Sequence, residues 1–484
     1  MQEAIKLKDR LCKAISLMLI PLCVLFSLVF FAPLKVMAAT IIIAASNSSS
    51  QWKSQATATC TGTSDQNAIN KYLTTGSTVD LAPGTFNCNG SINPASNSHL
   101  YGQGNTTIIN LQTANISAIN VNNIELDHFE VTGNANGGGA IFLACDNASD
   151  SGFNINNIEC TCLGVNDYEV YANADSVPST ISNVVFSACD ASNPDGDGFY
   201  IGGEGTSPSM LNTTFYKCTV ENAGVASTRT GSWIVGFDFN EGAISAVNHL
   251  QVINCSVNGA WESGFYMEDS NSAGTSEQDY VITGCNATNC GQKPTTSEGF
   301  GYLIGSYPST IDDVIEYGNT ASNNALGTML VDGTIYSSIV NGISPVSSVK
   351  TATAVSQSNC SGVIVNTDST HKELVLYSTD GNPVNQSINL GGYYASNDGN
   401  TYAFSGESII AQFTDYAVIR LVETAPPTNI TWDVNNDGSV NTLDIILTIQ
   451  HFGETGTPGW IKEDVNDDGV INILDVIAIG QHFS

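Results

Sequence analysis

Four short stretches of the chain share one pattern: Phe186-Ser-Ala-Cys189, Phe215-Tyr-Lys-Cys218, Val252-Ile-Asn-Cys255 and Ile282-Thr-Gly-Cys285. In each, a large apolar residue is followed three positions later by cysteine, and the pattern recurs about every 31 residues. It continues, with Phe or Tyr in place of Cys, at Leu126/Phe129 and Val314/Tyr317, and more weakly at Cys160. A period of this length, combined with alternating apolar and polar residues, is typical of a solenoid of strands. The sequence therefore predicts a parallel β-helix.

Stacked coils place equivalent residues about 4.8 Å apart. We therefore expect the four cysteines of the repeat to form an internal ladder of buried thiols. Of the 13 cysteines, all but Cys12 and Cys23 follow residue 39, and this odd number requires at least one free thiol. Spacing also allows two disulfides, Cys60–Cys88 and Cys285–Cys290.

A second strand follows these stretches and begins with glycine. Its copies are Gly139–Phe142, Gly198–Ile201, Gly236–Phe239, Gly264–Met267, Gly299–Tyr302 and Gly327–Leu330. Upstream, Ser64–Leu73 predicts a short amphipathic helix that caps the open end of the solenoid. This opening and the repeats resemble the pectate-lyase-like superfamily over about residues 55–345. The resemblance implies an all-β fold, a right-handed parallel β-helix solenoid over residues 40–345, and it indicates the fold more than an activity.

Residues 346–425 have alternating runs such as Glu373–Tyr377 and Tyr416–Val422. They predict a β-rich segment, formed either by the final coils of the solenoid or by a small β-sandwich.

Two copies of one acidic twelve-residue loop lie near the C-terminus, Asp433–Asp444 and Asp464–Asp475. Oxygen atoms at positions 1, 3, 5, 9 and 12, a carbonyl at position 7 and glycine at position 6 suit Ca²⁺. Each loop leads into an apolar-periodic stretch that predicts one short helix. The predicted ligands are Asp433, Asn435, Asp437, Ser439, Asn441 and Asp444, and Asp464, Asn466, Asp468, Val470, Asn472 and Asp475.

These tandem loop-and-helix units resemble the dockerin module over residues 432–484. Position 12 is Asp, as in dockerins, whereas Thr442-Leu443 and Ile473-Leu474 replace the small hydroxyl pair that often contacts the partner at positions 10 and 11. The resemblance implies a small all-α module, residues 426–484, that binds two Ca²⁺ ions. It also implies docking onto a cohesin module of a scaffold or surface protein, usually in polysaccharide-degrading assemblies.

Residues 1–39 predict a signal peptide, because basic residues up to Lys13 precede an apolar run from Ala14 to Ala32 and small residues follow. A retained membrane anchor is the alternative. Cleavage would leave 9 Lys+Arg, from 14 less 5, and 44 Asp+Glu, from 46 less 2, a net charge of −35. This charge excludes nucleic acid and anionic lipid as partners. We expect an extracellular or cell-surface protein without membrane contact after cleavage.

The glycine-led strands also suggest a site. If their Phe residues point into the core, the residues one and three positions later point outward. An exposed strip suited to a sugar chain would then run across consecutive coils. It would contain Tyr200 on the first coil, Asp238 and Asn240 on the second, and Tyr266 and Glu268 on the third. Asp238 and Glu268 would have Cα atoms roughly 8 Å apart, which is compatible with an inverting glycoside hydrolase. In that hypothesis Glu268 is the general acid, Asp238 the base, and the other three bind substrate.

Three functions remain open. The leading hypothesis is a secreted carbohydrate-active protein that hydrolyses a polysaccharide and is docked through its dockerin. A polysaccharide lyase would need a basic proton abstractor, for which Arg229 is the candidate. The third hypothesis is a non-catalytic β-helix that binds glycan or serves as a structural module, with the acidic strip a solvated face. The sequence has no Asn-Thr-Asp, Asp-Asp and Gly-His-Gly set of the polygalacturonase type, so catalysis itself stays open.

Overall fold

The structure is a computed structural model. It describes residues 40–482 except 135–138, 164–165, 206, 228–233, 243–245, 268–277, 294–298, 313, 337–338, 341–351, 367–370, 391–393, 397–402, 406–407, 415, 424–431, 436–439 and 459. The predicted signal peptide, residues 1–39, lies outside the described residues. Within these ranges, no helix is long and apolar enough to cross a membrane.

Residues 41–340 form a parallel β-helix with three faces. Faces 1 and 2 belong to one continuous sheet, because several long strands bend at the corner between them. In strand Ile124–Asn134, for example, face 1 lies before the corner at His128 and face 2 lies after it. Its strands are Ile41–Ala44, Ala58–Thr59, Thr78–Leu81, Gly84–Cys88, His99–Leu111, Ile124–Asn134, Ser149–Leu163, Ser179–Ser187, Asp190–Ser192, Pro208–Tyr216, Thr219–Ala223, Ala246–Ile253, Ser256–Ala260, Gln278–Thr283, Asn286–Cys290, Val314–Tyr317, Thr320–Ser322 and Ile339–Val340.

Face 3 is a separate parallel sheet. Its described strands are Ile116–Ile119, Ile141–Asp146, Tyr168–Ala174, Phe199–Gly205, Phe237–Gly242, Phe265–Met267, Phe300–Asp312 and Gly327–Tyr336. Helix Ser50–Gln55 precedes the regular coils, and helix Gln66–Tyr72 buries Ile69 and, just after it, Leu73 in the solenoid core. The predicted cap is therefore confirmed.

Two stacks of equivalent residues fill the interior. On face 3, five rings lie one above another with centroid separations of 4.5, 4.7, 4.9 and 5.1 Å, in the order Tyr168, Phe199, Phe237, Phe265 and Tyr302. All five are almost completely buried. The prediction that the Phe of the glycine-led strands points inward is confirmed for Phe199, Phe237 and Phe265. The ring stacking adds to the free energy of apolar burial.

The second stack is the predicted cysteine ladder. Each thiol donates to a backbone carbonyl of the preceding coil, at Sγ–O distances of 3.2 Å for Cys189, 3.5 Å for Cys218 and Cys255, and 3.4 Å for Cys285. Asn319 occupies the next rung, and its amide donates to the carbonyl of Ile282 at 2.8 Å. Burial raises the pKa values of the Cys189, Cys218 and Cys255 thiols well above their ordinary range.

Neither expected disulfide is present, and all eleven cysteines in the described residues are free thiols. Cys285 lies at a corner and Cys290 at the end of the following strand. Five residues of extended chain separate Cα atoms by about 15 Å, far beyond the limit of about 7 Å for a bridge. Cys60 and Cys88 each donate to a backbone carbonyl instead.

Asparagines turn the chain at the corners in the left-handed region, where their short polar side chain lowers the cost of positive φ. Asn183 and Asn212 stack at one corner with φ of 54° and 55°, and their amides hydrogen-bond at 3.1 Å. Asn193 and Asn222 do the same at another corner, also at 3.1 Å. These rows fix the register between coils independently of the core.

Three predicted positions in the repeat were wrong. Ile158, and not Cys160, stacks between Phe129 and Cys189. Glu316 pairs with Ile282, so Val314/Tyr317 lies two residues out of register. Similarly, Tyr302 and not Phe300 pairs with Phe265. A shift of two residues keeps every side chain on the same side of a strand, so alternation alone does not detect it.

The segment after the solenoid is antiparallel. One sheet contains Ala352–Ser356, Cys360–Asn366, His371–Ser378, Tyr394–Ser396 and Tyr416–Glu423; the other contains Val384–Asn389, Ala403–Ser405 and Ser408–Phe413. Apolar residues of both sheets share one core, which includes Leu376, Ile409 and Ile419. The segment contacts the solenoid through Tyr416, whose ring centroid is 4.9 Å from that of Tyr216.

Two helices, Thr442–Gln450 and Ile473–Gly480, follow the two acidic loops, as predicted. A small core that includes Val434, Val465 and Ile479 joins them. The ring of Trp432 stacks on that of His482 with a centroid separation of 3.4 Å, which holds the two ends of the module together.

Candidate functional site

Four residues form one row across face 3. Tyr200 pairs in register with Glu169 on one side and Asp238 on the other, and Asp238 pairs with Tyr266. Neighbouring strands are about 4.8 Å apart, so the row is about 14 Å long. All four point away from the core, because Val170, Ile201, Phe239 and Met267, the next residues along each strand, are buried in it.

The row is less exposed than the sequence predicts. Only 3% of Asp238 and 8% of Glu169 are accessible to solvent, whereas Tyr200 and Tyr266 are half-buried. The expectation of an exposed strip is therefore wrong for Asp238. Strand alternation gives the direction of a side chain relative to the core, but it does not tell whether other chain segments cover that face.

Further carboxylates lie at the turns that lead into these strands. Asp197, 6% exposed, accepts a hydrogen bond from the backbone N–H of Val235 at 2.7 Å. Its own N–H donates to Asn166 Oδ1 at 2.9 Å, and the Asn166 amide donates to Glu169 Oε2 at 3.3 Å. Glu262, 6% exposed, precedes the strand that carries Tyr266. Face 3 and its turns therefore hold several buried acids.

A packing contact positions Tyr200. A β-carbon at Gly202 would lie 2.3 Å from the hydroxyl oxygen of Tyr200, so the ring of Tyr200 lies over this glycine. The next outward residue on the preceding coil, Tyr171, hydrogen-bonds Glu204. Burial, together with this carboxylate, raises the pKa of Tyr171 to about 12. Tyr171 also contacts Phe142 at a centroid separation of 6.5 Å, which extends the aromatic surface.

The other predicted residues of this site are placed only in part. Glu268 and Arg229 lie outside the described residues, as does the side chain of Asn240. The backbone has a bulge after Ile201, and Gly202 pairs with Glu241 rather than with Asn240. The regular alternation that places Asn240 in the predicted strip does not account for this bulge.

Sequence reasoning missed Glu169, Asp197 and Glu262. Glu169 follows Tyr168 in a strand that lacks the glycine-phenylalanine signature, although Tyr168 occupies the equivalent inward position. Counting one period back from Phe199 would have found this strand. Asp197 and Glu262 lie in turns, where strand alternation gives no direction.

The two acidic loops form a second site. The carboxylates at positions 1 and 12 are nearly inaccessible: Asp433 and Asp464 are 1% and 2% exposed, and Asp444 and Asp475 are fully buried. Ionised carboxylates rarely stay buried without a compensating cation. Their burial, in loops whose other positions carry oxygen donors, therefore fits a hard divalent cation. Asp437 and Ser439 lie outside the described residues.

The second loop shows how the chain forms this geometry. Asp464 accepts from the N–H groups of Asp468 at 3.1 Å and Gly469 at 3.0 Å. Asn472, at position 9, caps the helix that follows, and Asp475, at position 12, completes a capping box. The same box joins Asn441 to Asp444 in the first loop. The predicted calcium ligands at positions 9 and 12 thus also cap the helix that follows each loop. This capping holds the loop in a defined position relative to its helix.

The segment between the two loop-and-helix units pairs with the second loop, and the helices expose apolar side chains. Thr455 forms an antiparallel bridge with Val470, and Gly456 N–H donates to Gly469 O at 2.9 Å. Large apolar residues are 44–56% exposed on both helices: Leu443, Ile446, Ile449, Ile473, Leu474 and Ile477. Such a surface on a small module indicates a protein interface.

Fold and loops together define a parallel β-helix protein with a C-terminal module of paired calcium-type loops. Residues 431–476 match the Dockerin type I domain family, so this module is a dockerin. No curated protein is similar enough to the chain to count as a match.

The solved structures that resemble the chain include the following three. ORF18 of Geobacillus virus E2 is 13% identical with a TM-score of 0.30, over 75% of this chain and 75% of its own. A GH87 α-1,3-glucanase catalytic unit from Streptomyces thermodiastaticus is 13% identical with a TM-score of 0.18, over 56% and 64%. The A-module of an Azotobacter vinelandii mannuronan C-5 epimerase is 14% identical with a TM-score of 0.20, over 58% and 93%. At these identities and TM-scores, the similarity indicates neither the substrate nor the mechanism of this protein.

Proposed function

We propose that the protein is a secreted glycoside hydrolase that acts on an uncharged polysaccharide and is docked through its dockerin onto a cohesin-bearing assembly. The observation that carries the catalytic part is the row on face 3, in which buried Glu169 and Asp238 alternate with Tyr200 and Tyr266. Tyrosine rings can stack on sugar faces, and carboxylates can bind hydroxyls or transfer protons.

The spacing supports an inverting reaction. Glu169 and Asp238 are two coils apart, so their Cα atoms are about 10 Å apart. The longer Glu169 side chain can bring the carboxyl groups within the range of about 6.5–9.5 Å that leaves room for the attacking water. In this proposal Asp238 activates the water, and either Glu169 or Glu268, one coil beyond Asp238, protonates the leaving oxygen.

Charge supports an uncharged substrate. The chain has a net charge of −32, and face 3 with its turns adds Asp197 and Glu262 to the row. A polyuronate would meet repulsion along this surface. A lyase reaction through Arg229 would also need an acidic sugar, because the proton it removes lies next to a carboxylate. Hydrolysis is therefore the better supported of the two reactions.

To test this proposal, the full chain is saturated with Ca²⁺ and incubated with neutral or acidic polysaccharides. New reducing ends and unsaturated products are then measured separately. We expect reducing ends alone from a neutral polymer, and a loss of about 100-fold or more in kcat for Asp238→Asn. Glu169→Gln and Glu268→Gln identify the acid. Glu159→Gln, an exposed glutamate on face 2, is the matched control and should change nothing.

Other outcomes decide between the alternatives. Unsaturated products that disappear in Arg229→Ala would establish a lyase. Binding of a polymer without turnover, weakened in Tyr200→Ala and Tyr266→Ala, would establish a non-catalytic glycan-binding module.

A further inference from the structure

A group of potential metal ligands lies on face 1, away from the row on face 3. His99, Glu125 and Asp127 each offer one ligand atom, and the three atoms lie within 4.8 Å of one another. His99 pairs in register with Glu125, and Tyr101 pairs with Asp127, so the group joins two neighbouring coils. Leu100 and Leu126, the intervening residues, are fully buried, which directs the three side chains outward.

We propose that His99, Glu125 and Asp127 bind a divalent transition-metal ion, of which Zn²⁺ is the best match. One imidazole and two carboxylates are ligands that zinc accepts, and three protein ligands leave one position for water. Calcium needs six to eight oxygen ligands, which this group does not supply. The site is thus distinct from the dockerin loops in its ligands and in its preferred ion.

Distances within the group support this assignment. His99 Nδ1 lies 3.6 Å from Glu125 Oε2, which is the distance of an ion pair and longer than a hydrogen bond. Two ligands at about 2.0–2.1 Å from a tetrahedral zinc are about 3.4 Å apart. The two atoms therefore already lie at nearly the separation that a shared ion would impose. The solvent-exposed fractions of the three side chains, 27%, 43% and 19%, leave a path for the ion.

Neighbouring residues hold the ligands in place. His128 Nδ1 forms a short hydrogen bond with Asp127 Oδ1, which orients one ligand from outside the group. Such outer contacts to ligands are a general feature of metal sites. Asp80, on the coil before His99, is already bonded to Gln103 at 2.9 Å and to Tyr101 at 3.2 Å, so it is not counted as a ligand.

The ion would link strands His99–Leu111 and Ile124–Asn134 near the start of the solenoid. Because only the folded chain presents the three ligands together, zinc should stabilise these coils through binding linkage. A bound ion would therefore add a link between two N-terminal coils, in addition to the stacking that the repeat pattern provides.

The experiment titrates the full chain with Zn²⁺ by calorimetry, and with Co²⁺ by visible absorption, in excess Ca²⁺ so that the dockerin loops are occupied. We expect one saturable site and a tetrahedral Co²⁺ spectrum. His99→Ala and Asp127→Asn should weaken binding by about 100-fold or more, and His128→Ala by about 10-fold. Glu125→Gln should also remove the spectrum.

His451→Ala is the matched control, because His451 also lies near two carboxylates, those of Glu454 and Glu463, but belongs to the dockerin and not to the proposed site. It should leave the site on face 1 intact. Circular dichroism of every variant in the absence of zinc checks that the chain is folded. Absence of saturable binding, or equal affinity in folded His99→Ala and wild-type protein, would overturn the proposal.

Discussion

At the scale of single residues, Asp150 shows what burial does to a carboxylate. It lies at the start of strand Ser149–Leu163, is 3% exposed, and accepts from the Asn122 amide at 3.4 Å. Its other oxygen, Oδ2, is buried and has no hydrogen-bond partner in the described part of the chain. Burial raises the pKa of Asp150 to about 6, against the opposing effect of the hydrogen bonds.

This shift gives a prediction for Asp150→Asn. The folded pKa exceeds the unfolded one of about 3.9, so the folded state holds the proton more tightly. The cost of ionising Asp150 is therefore absent below about pH 4, grows as the pH rises, and is complete above pH 6. Asp150→Asn should raise the free energy of unfolding by about 1–3 kcal/mol at pH 8 and change it little at pH 4. Denaturant unfolding at the two pH values measures this difference.

The exposed Asp175→Asn serves as the control and should show no such pH dependence. Equal effects of Asp150→Asn at pH 4 and pH 8 would contradict the assignment of the ionisation cost to Asp150.

At the scale of elements, the repeat could be read from the sequence and the site only in part. Phe199, Phe237 and Phe265 identify face 3, because bulky residues at a fixed period must stack. The direction of Asp238 follows from them. Its burial does not, since alternation gives only the direction of a side chain relative to the core. Glu169 was missed because its strand begins without the common signature.

The cysteine ladder allows a second prediction. The thiols of Cys189, Cys218, Cys255 and Cys285 are almost completely buried and bonded to backbone carbonyls. Since the thiolate is the reactive form, they should resist alkylation in the folded protein. We expect labelling of these four cysteines by iodoacetamide only after denaturation, as measured by peptide mapping. Rapid labelling without denaturant, or recovery of any of them in a disulfide, would contradict the ladder.

At the scale of the whole molecule, the described residues form three separate cores: one in the solenoid, one in the antiparallel sheets and one in the dockerin. Each module should therefore respond to its own ligands. In the dockerin, four buried carboxylates at loop positions 1 and 12 would repel one another without a cation. Dockerin stability and cohesin docking should both depend on calcium, whereas the solenoid should not.

Chelation of the full chain tests this independence. We expect EGTA to abolish binding to a type I cohesin module and to remove a helical contribution from circular dichroism, while thermal unfolding of the solenoid stays within about 2 °C of its original value. Asp475→Asn should weaken cohesin binding at limiting Ca²⁺. Asp467→Asn, in the same loop but outside the ligand positions, should not. Unchanged cohesin binding after chelation would contradict a calcium-dependent dockerin.

The column of five aromatic rings inside face 3 has a consequence for observing this molecule. Rings stacked at 4.5–5.1 Å and held in the packed core should contribute a near-ultraviolet circular dichroism band that depends on their fixed arrangement. Because Tyr168 and Tyr302 sit at the two ends of the column, the band would fade when coils slide or separate, even if each strand persisted. Near-ultraviolet circular dichroism should therefore report the stacking of the coils without an added label.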